Sequence, residues 1–292
     1  MRFSRDLLTH RPLAKRSILA KLITDSLLRI LILNDSLSVW TRLHHQATEL
    51  AKAEPMLADH YFKNIIDHND FASALACHLA AQLGNETVPA QALNSLFLSI
   101  LTQHSGIVDA ALHDMEAYYQ RDPACDNYCR PFLFFKGFLA IQSQRLAHAL
   151  WHQNRRSMAR YIQHKVSLLC CCDIHPAARL GHGLMVDHAT GLVIGETAEV
   201  GNNVSLLHGV TLGGSGNDAG KRHPTIKDGV MISAGAKVLG NITVGNGSKV
   251  GAGSVVLTSV PAHVTVAGVP AKIVGQPSDQ APSLSMDQDI GS

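Results

Sequence analysis

The sequence predicts an α+β protein in which an all-α helical domain is followed by a parallel β-helix of hexapeptide repeats. Two patterns support this fold class. From Asp173 to Gly275, aliphatic residues recur every six positions, and a small or apolar residue stands four positions after most of them. From Asn34 to Cys172, apolar residues recur instead at helical spacing, between residues that typically begin and end helices.

The period of six over residues 173–275 is the stronger of the two patterns. A helix repeats about every 3.6 residues and a strand every two, so a period of six marks a turn after each short strand. Three hexapeptides then close one triangular coil, and coils stack at about 4.8 Å with their aliphatic residues inward. An ordinary sandwich of short strands, the alternative, would not produce this period. The lead residues are Ile174, Leu180, Val186, Ile194, Val200, Leu206, Leu212, Ile226, Ile232, Val238, Val244, Val250 and Val256.

The helical domain, residues 34–172, contains recognisable start and stop signals. Asp70 is placed to cap a helix that Gly84 ends, and Pro89 opens another that ends near Gly106. The apolar face of the first helix is Phe71, Leu75, Leu79 and Leu83. Further helices are predicted over residues 107–120, 131–153 and 155–170.

The two ends of the chain differ in composition from the domains. Residues 1–33 form a basic extension in which seven Lys and Arg residues stand against two Asp residues. This start is compatible with a loosely packed extension or with an organelle-targeting peptide, and its apolar run is too short to span a bilayer. Residues 276–292 contain prolines, serines and aspartates without an apolar period, so we expect a flexible C-terminal tail.

The composition disfavours several functions. The chain has 292 residues, of which 46% are hydrophobic and 16% charged, with a net charge of +2. This balance does not favour a nucleic-acid partner. The six cysteines lack paired spacing and a secretory leader, so they are interpreted as reduced thiols of a cytosolic protein. A zinc site built from Cys125, Cys129 and residues 170–172 is disfavoured because the spacings are not typical of zinc ligands.

The period of six is interrupted twice, and solenoid proteins place such insertions on their working face. The first interruption lengthens one step to eight residues and contains Asp187 and His188. The second lengthens a step to fourteen, and its excess is a glycine-rich loop over residues 213–224 that carries Arg222 and His223. This loop is a candidate substrate lid.

His188 and Asp173 form the candidate catalytic pair. An imidazole titrates near neutral pH and is a natural general base, but a partner must fix its tautomer. The two residues are fifteen positions apart, close to the eighteen of one coil, so stacking would place them near one edge. From the residues alone, other roles stay open: Asp173 would also suit the entry to the β-helix, and His188 a widened corner. Asp122, before Pro123, would equally suit a solvent-exposed helix end.

Seven segments form a pattern more specific than the repeats. They are RDPA at 121–124, DIHPAA at 173–178, DHATG at 187–191, GETA at 195–198, HGVTLGG at 208–214, KRHP at 221–224 and AGVPA at 267–271. Together they resemble the serine O-acetyltransferase family of the hexapeptide-repeat acyltransferases, over about residues 34–276. The resemblance implies a left-handed β-helix and acetyl transfer from acetyl-CoA to the hydroxyl of L-serine, the first step of cysteine synthesis from serine.

The resemblance also implies roles for individual residues. It makes His188 the general base and Asp173 its partner. It places Asp122 and Asp187 at the serine ammonium group. Its contacts for the serine carboxylate are Arg222 and His223. Its contacts for CoA are Gly214, Ala234, Ala252 and Lys272. Acetyl-CoA is then a co-substrate, the acetyl group is transferred directly, and neither a metal nor a tightly bound cofactor is expected.

The resemblance further implies partners. Family members form trimers through the β-helix and hexamers through the helical domains, and L-cysteine is expected to inhibit from the serine site. Family tails commonly end in an isoleucine that enters O-acetylserine sulfhydrylase, whereas Ile290 is followed here by Gly291 and Ser292. A sulfhydrylase complex is therefore a weaker expectation. No nucleic-acid or membrane partner is expected, and the expected location is the cytoplasm, with organelle targeting by residues 1–33 left open.

Three other functions remain to be compared with this one. A hexapeptide acetyltransferase for another hydroxyl acceptor would not need Asp122 together with Arg222. A β-helix carbonic anhydrase would bind zinc through histidines, but residues 173–275 contain no pair of histidines five positions apart. A non-catalytic assembly subunit would not need Asp173, His188 or the loop cations.

Overall fold

The computed structural model describes residues 39–216 and 219–290. Four predicted features lie wholly or partly outside this range: the basic extension over residues 1–33, the start of the helical domain, residues 217–218 of the glycine-rich loop, and the last two residues of the tail.

The described part of the helical domain contains eight α-helices. They are α1 (39–53), α2 (Ala58–Tyr61), α3 (Phe71–Leu83), α4 (Ala90–Gln103), α5 (Ser105–Arg121), α6 (Cys129–Phe134), α7 (Lys136–His152) and α8 (Arg156–Cys170). A 3₁₀ turn over Pro55–Leu57 precedes α2, and a π-helical turn over Phe62–Ile66 follows it.

Helix α3 has the predicted cap and the predicted apolar face. Asp70 Oδ1 accepts a hydrogen bond from Ser73 N at 2.7 Å, which satisfies an N–H group that the helix itself leaves free. The four predicted apolar residues of α3 are all buried. Helix α4 begins after Pro89 as predicted but ends at Gln103, so Gly106 lies in the first turn of α5 instead of ending α4.

The single helix predicted over residues 131–153 is wrong, because the structure has two helices there. Phe135 separates α6 from α7 in an extended conformation, with φ −88° and ψ 109°. Its ring packs edge-on against Tyr118, with 5.6 Å between centroids. Helix α7 then starts against the β-helix, and a Cβ atom on Gly137 would lie 2.0 Å from the carbonyl oxygen of Val186. Only glycine allows this approach.

The strands form three flat faces. Face A contains β1 (Asp173–Ile174), β4 (Val193–Ile194), β7 (Thr211–Gly213), β10 (Lys237–Leu239) and β13 (Val255–Val256). Face B contains β2 (Arg179–Leu180), β5 (Glu199–Val200), β8 (Thr225–Ile226) and β11 (Thr243–Val244). Face C contains β3 (Met185–Val186), β6 (Ser205–Leu206), β9 (Met231–Ile232), β12 (Lys249–Val250), β14 (Thr265–Gly268) and β15 (Ala271–Gly275).

All neighbouring strands are parallel except β14 and β15, so the predicted parallel β-helix is confirmed. On face A, Ile194 is in register with Leu212, and Leu212 with Val238. The second step is longer because that coil includes the glycine-rich loop. Twelve of the thirteen lead residues are buried, whereas Leu180 is half-buried. The core of the β-helix is therefore the predicted inward ladder of aliphatic side chains.

Helix α5 connects the helical domain to the β-helix through buried polar groups. The carboxylate of Asp114, 1% exposed, accepts hydrogen bonds from Arg145 Nη2 at 2.6 Å and from Leu184 N at 2.7 Å. One turn later, Tyr118 Oη donates to the carbonyl of Val186 at 2.9 Å and accepts from the Val186 N–H at 3.0 Å. Burial raises the pKa of Tyr118 well above its usual value, so the phenol stays protonated.

The C-terminal tail differs from the flexible segment that the composition predicts. It forms a short helix, α9 (Pro282–Ser285), and Ser283 Oγ donates to the carbonyl of Asn203. Lys249 is 2% exposed, and its ammonium donates to the carbonyl of Asp287 at 2.7 Å. A buried ammonium needs acceptors, and the tail supplies them. This requirement is not visible in the composition of the tail.

Candidate active site

The predicted site residues lie at two corners of the β-helix. The corner between faces C and A contains His188, and we call it the His188 corner. The corner between faces A and B contains the glycine-rich loop, and we call it the Arg222 corner. Both corners lie on coils with an interrupted period of six, which is where insertions were expected to mark the working face.

At the His188 corner the backbone is strained. His188 and Ala189 both have left-handed conformations, with φ +58° and +55°. Such conformations are uncommon outside glycine and cluster at functional sites. Short hydrogen bonds hold the turn, from Ala189 N to the carbonyl of Asp187 at 2.7 Å and from Thr190 N to the carbonyl of His188 at 2.6 Å. The turn leaves the His188 side chain 72% exposed, and its ring forms part of a cavity wall.

A cavity of about 390 Å³ lies between the His188 corner and the helical domain. Its lining residues are Tyr118, Asp122, Ala124, Phe134, Phe135, Lys136, Gly137, Val186, Asp187 and His188. The structure thus brings together three predicted site residues, Asp122, Asp187 and His188. His188 Nε2 lies 3.6 Å from Asp187 Oδ1. Two carboxylates beside an imidazole suit a ligand that carries an ammonium group and a weak nucleophile.

Asp122 is positioned by the end of α5. It is the C-terminal cap residue of that helix and is extended, with φ −97° and ψ 109°, as expected for a residue before proline. Its Oδ1 accepts a hydrogen bond from Ala124 N at 2.8 Å, which fixes the side chain on the cavity wall. The sequence left open that Asp122 is only a solvent-exposed helix end. Asp122 does end a helix, but its side chain is half-buried and lines the cavity.

Two cavity residues with polar side chains, Tyr118 and Lys136, were not predicted from the sequence. Tyr118 closes the inner end through its paired hydrogen bonds to Val186, directly before Asp187. The Lys136 ammonium donates to the hydroxyl of Thr190, which belongs to the strained turn. Tyr118 stands four residues before Asp122, about one helical turn, and this spacing could have identified Tyr118 from the sequence. No sequence signal identified Lys136, because its position depends on where α7 begins.

Asp173 lies at the His188 corner, but its side chain has another partner. Its N–H donates to the carbonyl of Leu192 at 2.8 Å, at the end of the His188 turn. Its carboxylate accepts a hydrogen bond from Gln163 Nε2 at 2.6 Å, and within the described residues no hydrogen bond joins it to His188. Asp173 and His188 thus lie near one edge of the β-helix, as predicted, whereas the catalytic pairing of their side chains stays a prediction.

The Arg222 corner holds the two loop residues in a defined geometry. Arg222 Nη2 donates to Glu196 Oε2 at 2.5 Å, and this bond lowers the pKa of the Glu196 carboxyl. Thr197 N donates to His223 Nδ1 at 3.2 Å, so that nitrogen is an acceptor. A neutral His223 then has its proton on Nε2, since a backbone N–H can only donate. His223 is buried, and burial lowers its pKa, which favours this neutral form.

Stacked glycines continue the His188 corner along the β-helix. Gly191, Gly209, Gly235 and Gly253 all have φ between +66° and +75°. The predicted CoA contacts Ala234 and Ala252 each precede one of these glycines. The N–H groups of Gly209, Gly235 and Gly253 donate to carbonyls of the preceding coil. These three N–H groups are therefore not free to bind a ligand.

The remaining predicted CoA contacts lie elsewhere. A Cβ atom on Gly214 would lie 3.5 Å from Arg222 Cγ, which places Gly214 at the Arg222 corner. Lys272 is exposed on β15, at the end of face C. One copy of the chain therefore contains two groups of candidate site residues, with face A between them. The first group is Asp122, Asp187 and His188, and the second is Gly214, Arg222 and His223.

No metal centre is evident in the part of the chain that the structure describes, where no group of three or more His, Cys, Asp or Glu residues is placed to hold an ion. All six cysteines are free thiols. Within the same range, no helix is long and apolar enough to cross a membrane.

Comparison with known families agrees with this architecture. The family model for the N-terminal domain of serine acetyltransferases matches residues 39–143. The model for the bacterial transferase hexapeptide, with six repeats, matches residues 223–258. The β-helix and its hexapeptide repeats assign the chain to the class of hexapeptide-repeat transferases.

The relatives identify the family within this class. Serine acetyltransferase of Escherichia coli K12 is 49% identical over 250 residues, which cover 86% of this chain and 92% of the relative. The chloroplastic serine acetyltransferase 1 of Arabidopsis thaliana is 48% identical over 261 residues, which cover 88% of this chain and 83% of the relative. The chain therefore belongs to the serine acetyltransferase family, whose members are acetyl-CoA-dependent acyltransferases.

Solved structures of similar enzymes contain three relevant ligands. A serine acetyltransferase in complex with cysteine has a TM-score of 0.86 and 48% identity, covering 87% of this chain and 99% of that one. The Neisseria gonorrhoeae enzyme in complex with serine has a TM-score of 0.79 and 49% identity, covering 80% and 96%. The Brucella abortus enzyme in complex with coenzyme A has a TM-score of 0.80 and 48% identity, covering 82% and 96%.

Proposed function

We propose that this chain transfers the acetyl group of acetyl-CoA to the hydroxyl of L-serine, with His188 as the general base. The observation that carries the proposal is the cavity in which His188 meets Asp122 and Asp187. Family membership supports the reaction, and the serine and CoA complexes of similar enzymes support the two substrates.

The proton and the acetyl group move in opposite directions. His188 takes the proton of the serine hydroxyl as the oxygen attacks the thioester carbonyl. The resulting oxyanion collapses and expels the CoA thiolate. The thiolate then takes the proton from His188, which leaves the imidazole neutral again. No covalent enzyme intermediate is needed. General-base catalysis of this kind typically contributes about 10²- to 10⁴-fold in rate.

Asp173 is proposed to orient His188 in the working enzyme. The two residues share one corner, and Asp173 is exposed, so a change of side-chain rotamer is sterically open to it. Gln163 holds one carboxylate oxygen at 2.6 Å and leaves the other for the imidazole. A carboxylate that accepts from one ring nitrogen fixes the tautomer in which the other nitrogen is the base.

The two charged groups of serine require both corners. Asp122 and Asp187 suit the ammonium, whereas Arg222 and His223 suit the carboxylate, with Arg222 able to form two parallel hydrogen bonds. One hexapeptide face spans roughly 15–20 Å at about 3.3 Å per residue, whereas the charges of one serine lie a few ångströms apart. We therefore place the site between copies, with the Arg222 corner of one facing the His188 corner of the next, in a homotrimer.

The same arrangement accounts for the CoA contacts. Ala234 and Ala252 lie along the His188 corner, and Gly214 lies beside Arg222. Two facing corners then form the walls of a groove in which small residues let the CoA arm approach the backbone. Lys272, exposed on face C, is the remaining proposed contact. Pairing of trimers into hexamers through the helical domains is part of the proposal.

L-Cysteine is proposed to inhibit by occupying the serine site, since it differs from serine only by sulfur for oxygen. A similar enzyme has been solved in complex with cysteine. In this chain the Arg222 guanidinium already pairs with Glu196 across the corner. An amino-acid carboxylate would compete for that guanidinium and so would move the loop that also borders the CoA groove.

Two finer points of the proposal concern the ends of the chain. The tail is proposed to bind O-acetylserine sulfhydrylase, which would require its release from Lys249 and from the carbonyl of Asn203. The location is proposed to be cytoplasmic, in line with the bacterial relatives. The chloroplastic relative keeps organelle targeting by residues 1–33 as the alternative.

Acetyl-CoA turnover with a panel of acceptors tests the proposal. L-Serine should be acetylated faster than L-threonine, L-homoserine and a galactoside, because only serine matches the spacing of ammonium, carboxylate and hydroxyl. L-Cysteine should raise the apparent KM for serine in the same assay. Faster turnover of a sugar acceptor would favour another hexapeptide acetyltransferase, and activity that depends on added zinc would favour a different chemistry.

A further inference from the structure

A second cavity, of about 530 Å³, lies where α7 meets the start of α5 and strand β2. It shares no lining residue with the cavity at the His188 corner. Its ionisable lining residues are all basic, and among the described residues no carboxylate lines it. They are His104, Arg145, His148, His152 and Arg179.

Two imidazoles form one wall of this second cavity. The rings of His148 and His152 are edge to face, with 4.4 Å between their centroids. His148 Nδ1 lies 2.8 Å from the carbonyl of Pro176, so Nδ1 has the proton and Nε2 stays available. Burial lowers the pKa of His148, and the nearby His152 and Arg179 lower it further. A bound anion would reverse this effect, because it stabilises the charged imidazole.

The other walls add further nitrogen donors. Arg145 is 8% exposed, and its Nε has no hydrogen-bond partner although Nη2 binds Asp114 and the carbonyl of Gly181. Arg179 is exposed and forms no ion pair among the described residues. Helix α5 begins here with no side-chain cap and no acidic residue in its first turn. A helix N-terminus of this kind attracts anions.

We propose that this second cavity binds an organic ester of phosphoric or sulfuric acid. The tetrahedral oxyanion would lie among the imidazoles, Arg179 and the first turn of α5, where charge-assisted hydrogen bonds are strong. The volume exceeds that of a bare oxyanion, and Ile107, Ala149 and Leu180 provide apolar wall for an organic group. This site lies outside the proposed serine and CoA contacts, and its test reads binding instead of acetyl transfer.

Calorimetric titration of the full chain at constant ionic strength tests the proposal. The probes are phenyl phosphate, phenyl sulfate and inorganic sulfate. Saturable binding of at least one phenyl ester, about tenfold tighter than inorganic sulfate, is the expected result because the ring occupies the apolar wall. The preferred ester identifies the source, a phosphomonoester or a sulfate ester. Non-saturable heats with every probe would overturn the proposal.

Variants show whether the probe occupies this cavity. His152→Ala and Arg179→Ala should each weaken binding about tenfold, since each removes a charge-assisted hydrogen bond. Both side chains are exposed, so both variants are expected to fold. Lys227→Ala removes another exposed cation, one that lies outside the cavity, and should leave the affinity unchanged. Equal affinities in all three variants would assign the binding to another surface.

A pH series separates the imidazoles from the arginines. Phenyl sulfate keeps one charge over the whole range, so changes in its affinity report the protein. The groups that face the imidazoles are Arg145 on α7, Arg179 on β2 and His104 before α5, and none is acidic. Affinity should therefore rise as the pH falls from 8 to 6, because a bound anion favours the charged form of His148. Constant affinity over this range would contradict a role for the histidines.

Discussion

At the scale of single residues, the unusual feature of the candidate site is that the proposed general base lies in a left-handed turn. His188 at φ +58° is followed by Ala189 at φ +55°, and neither is glycine. Such conformations cost on the order of 1 kcal/mol each and persist where surrounding contacts fix them. Here the contacts are the short turn hydrogen bonds and the bond from Lys136 to Thr190. The strain is consistent with a turn that holds the imidazole at the cavity wall.

Replacing His188 tests its role, and asparagine is the appropriate substitute. Asparagine tolerates the left-handed region, so His188→Asn removes the base while it keeps the turn. The turnover number should fall by about 10² to 10⁴, and the thermal midpoint should change little because the side chain is exposed. His188→Ala should lose the same activity and also some stability. Near-normal turnover in purified His188→Asn would show that another group is the base.

The sequence motifs predicted the site residues better than the contacts between them. Asp122, Asp187 and His188 do line one cavity, as the family pattern implied. The contact of Asp173 with Gln163, by contrast, depends on where α8 ends beside β1. The same limit applies to Tyr118 and Lys136, which approach the turn through the packing of two helices. No short motif encodes that packing.

At the scale of elements, α5 is the connection that positions the site. Its Asp114 binds the β-helix backbone at Leu184, and its Tyr118 binds Val186, so two turns of one helix hold the strand that leads to His188. Asp122 ends the same helix. The distance between Asp122 and His188 is therefore set by α5.

Asp114→Ala should strongly destabilise this connection. It would leave the guanidinium of Arg145 buried without its carboxylate, and breaking a buried pair in this way costs about 3–5 kcal/mol. Urea unfolding monitored by circular dichroism measures the loss. Asp126→Ala is the matched control, because it breaks an exposed pair, Arg130–Asp126 at 2.9 Å, worth about 0–1 kcal/mol. Equal losses in both variants would show that the buried network does not hold the two domains together.

Local signals predicted elements well where one side chain or one period decides them. The cap at Asp70, the opening at Pro89 and the inward ladder of the β-helix all follow from the sequence. The break at Phe135 did not. It lies beside Gly137, whose close contact with Val186, far along the chain, is not visible in the local sequence. The docked tail was missed for a similar reason, since Lys249 needs acceptors that only the folded β-helix brings near.

At the scale of the whole molecule, one copy holds two separate groups of candidate site residues, which we call half-sites. The proposed ammonium contacts and the proposed base lie at the His188 corner, and the proposed carboxylate contacts lie at the Arg222 corner. The motifs named all of these residues but not their distribution over two corners, because a linear sequence does not show which corner of the β-helix each residue occupies. The three-face topology shows that distribution.

Mixed trimers test whether the site lies between copies. His188→Asn and Arg222→Ala should each be almost inactive alone, since each disables every site. In a random mixture of the two, a site is intact when the first copy keeps His188 and the next keeps Arg222, which holds for about one site in four. Co-refolding equal amounts should therefore restore roughly a quarter of wild-type turnover, measured with acetyl-CoA and L-serine. A mixture of His188→Asn with Asp122→Ala is the control: both residues belong to one half-site, so an intact site can form only if they come from different copies. No recovery with Arg222→Ala would place the serine site within a single chain. Recovery in the control would place the site between other surfaces, because Asp122 and His188 of one site would then come from different copies.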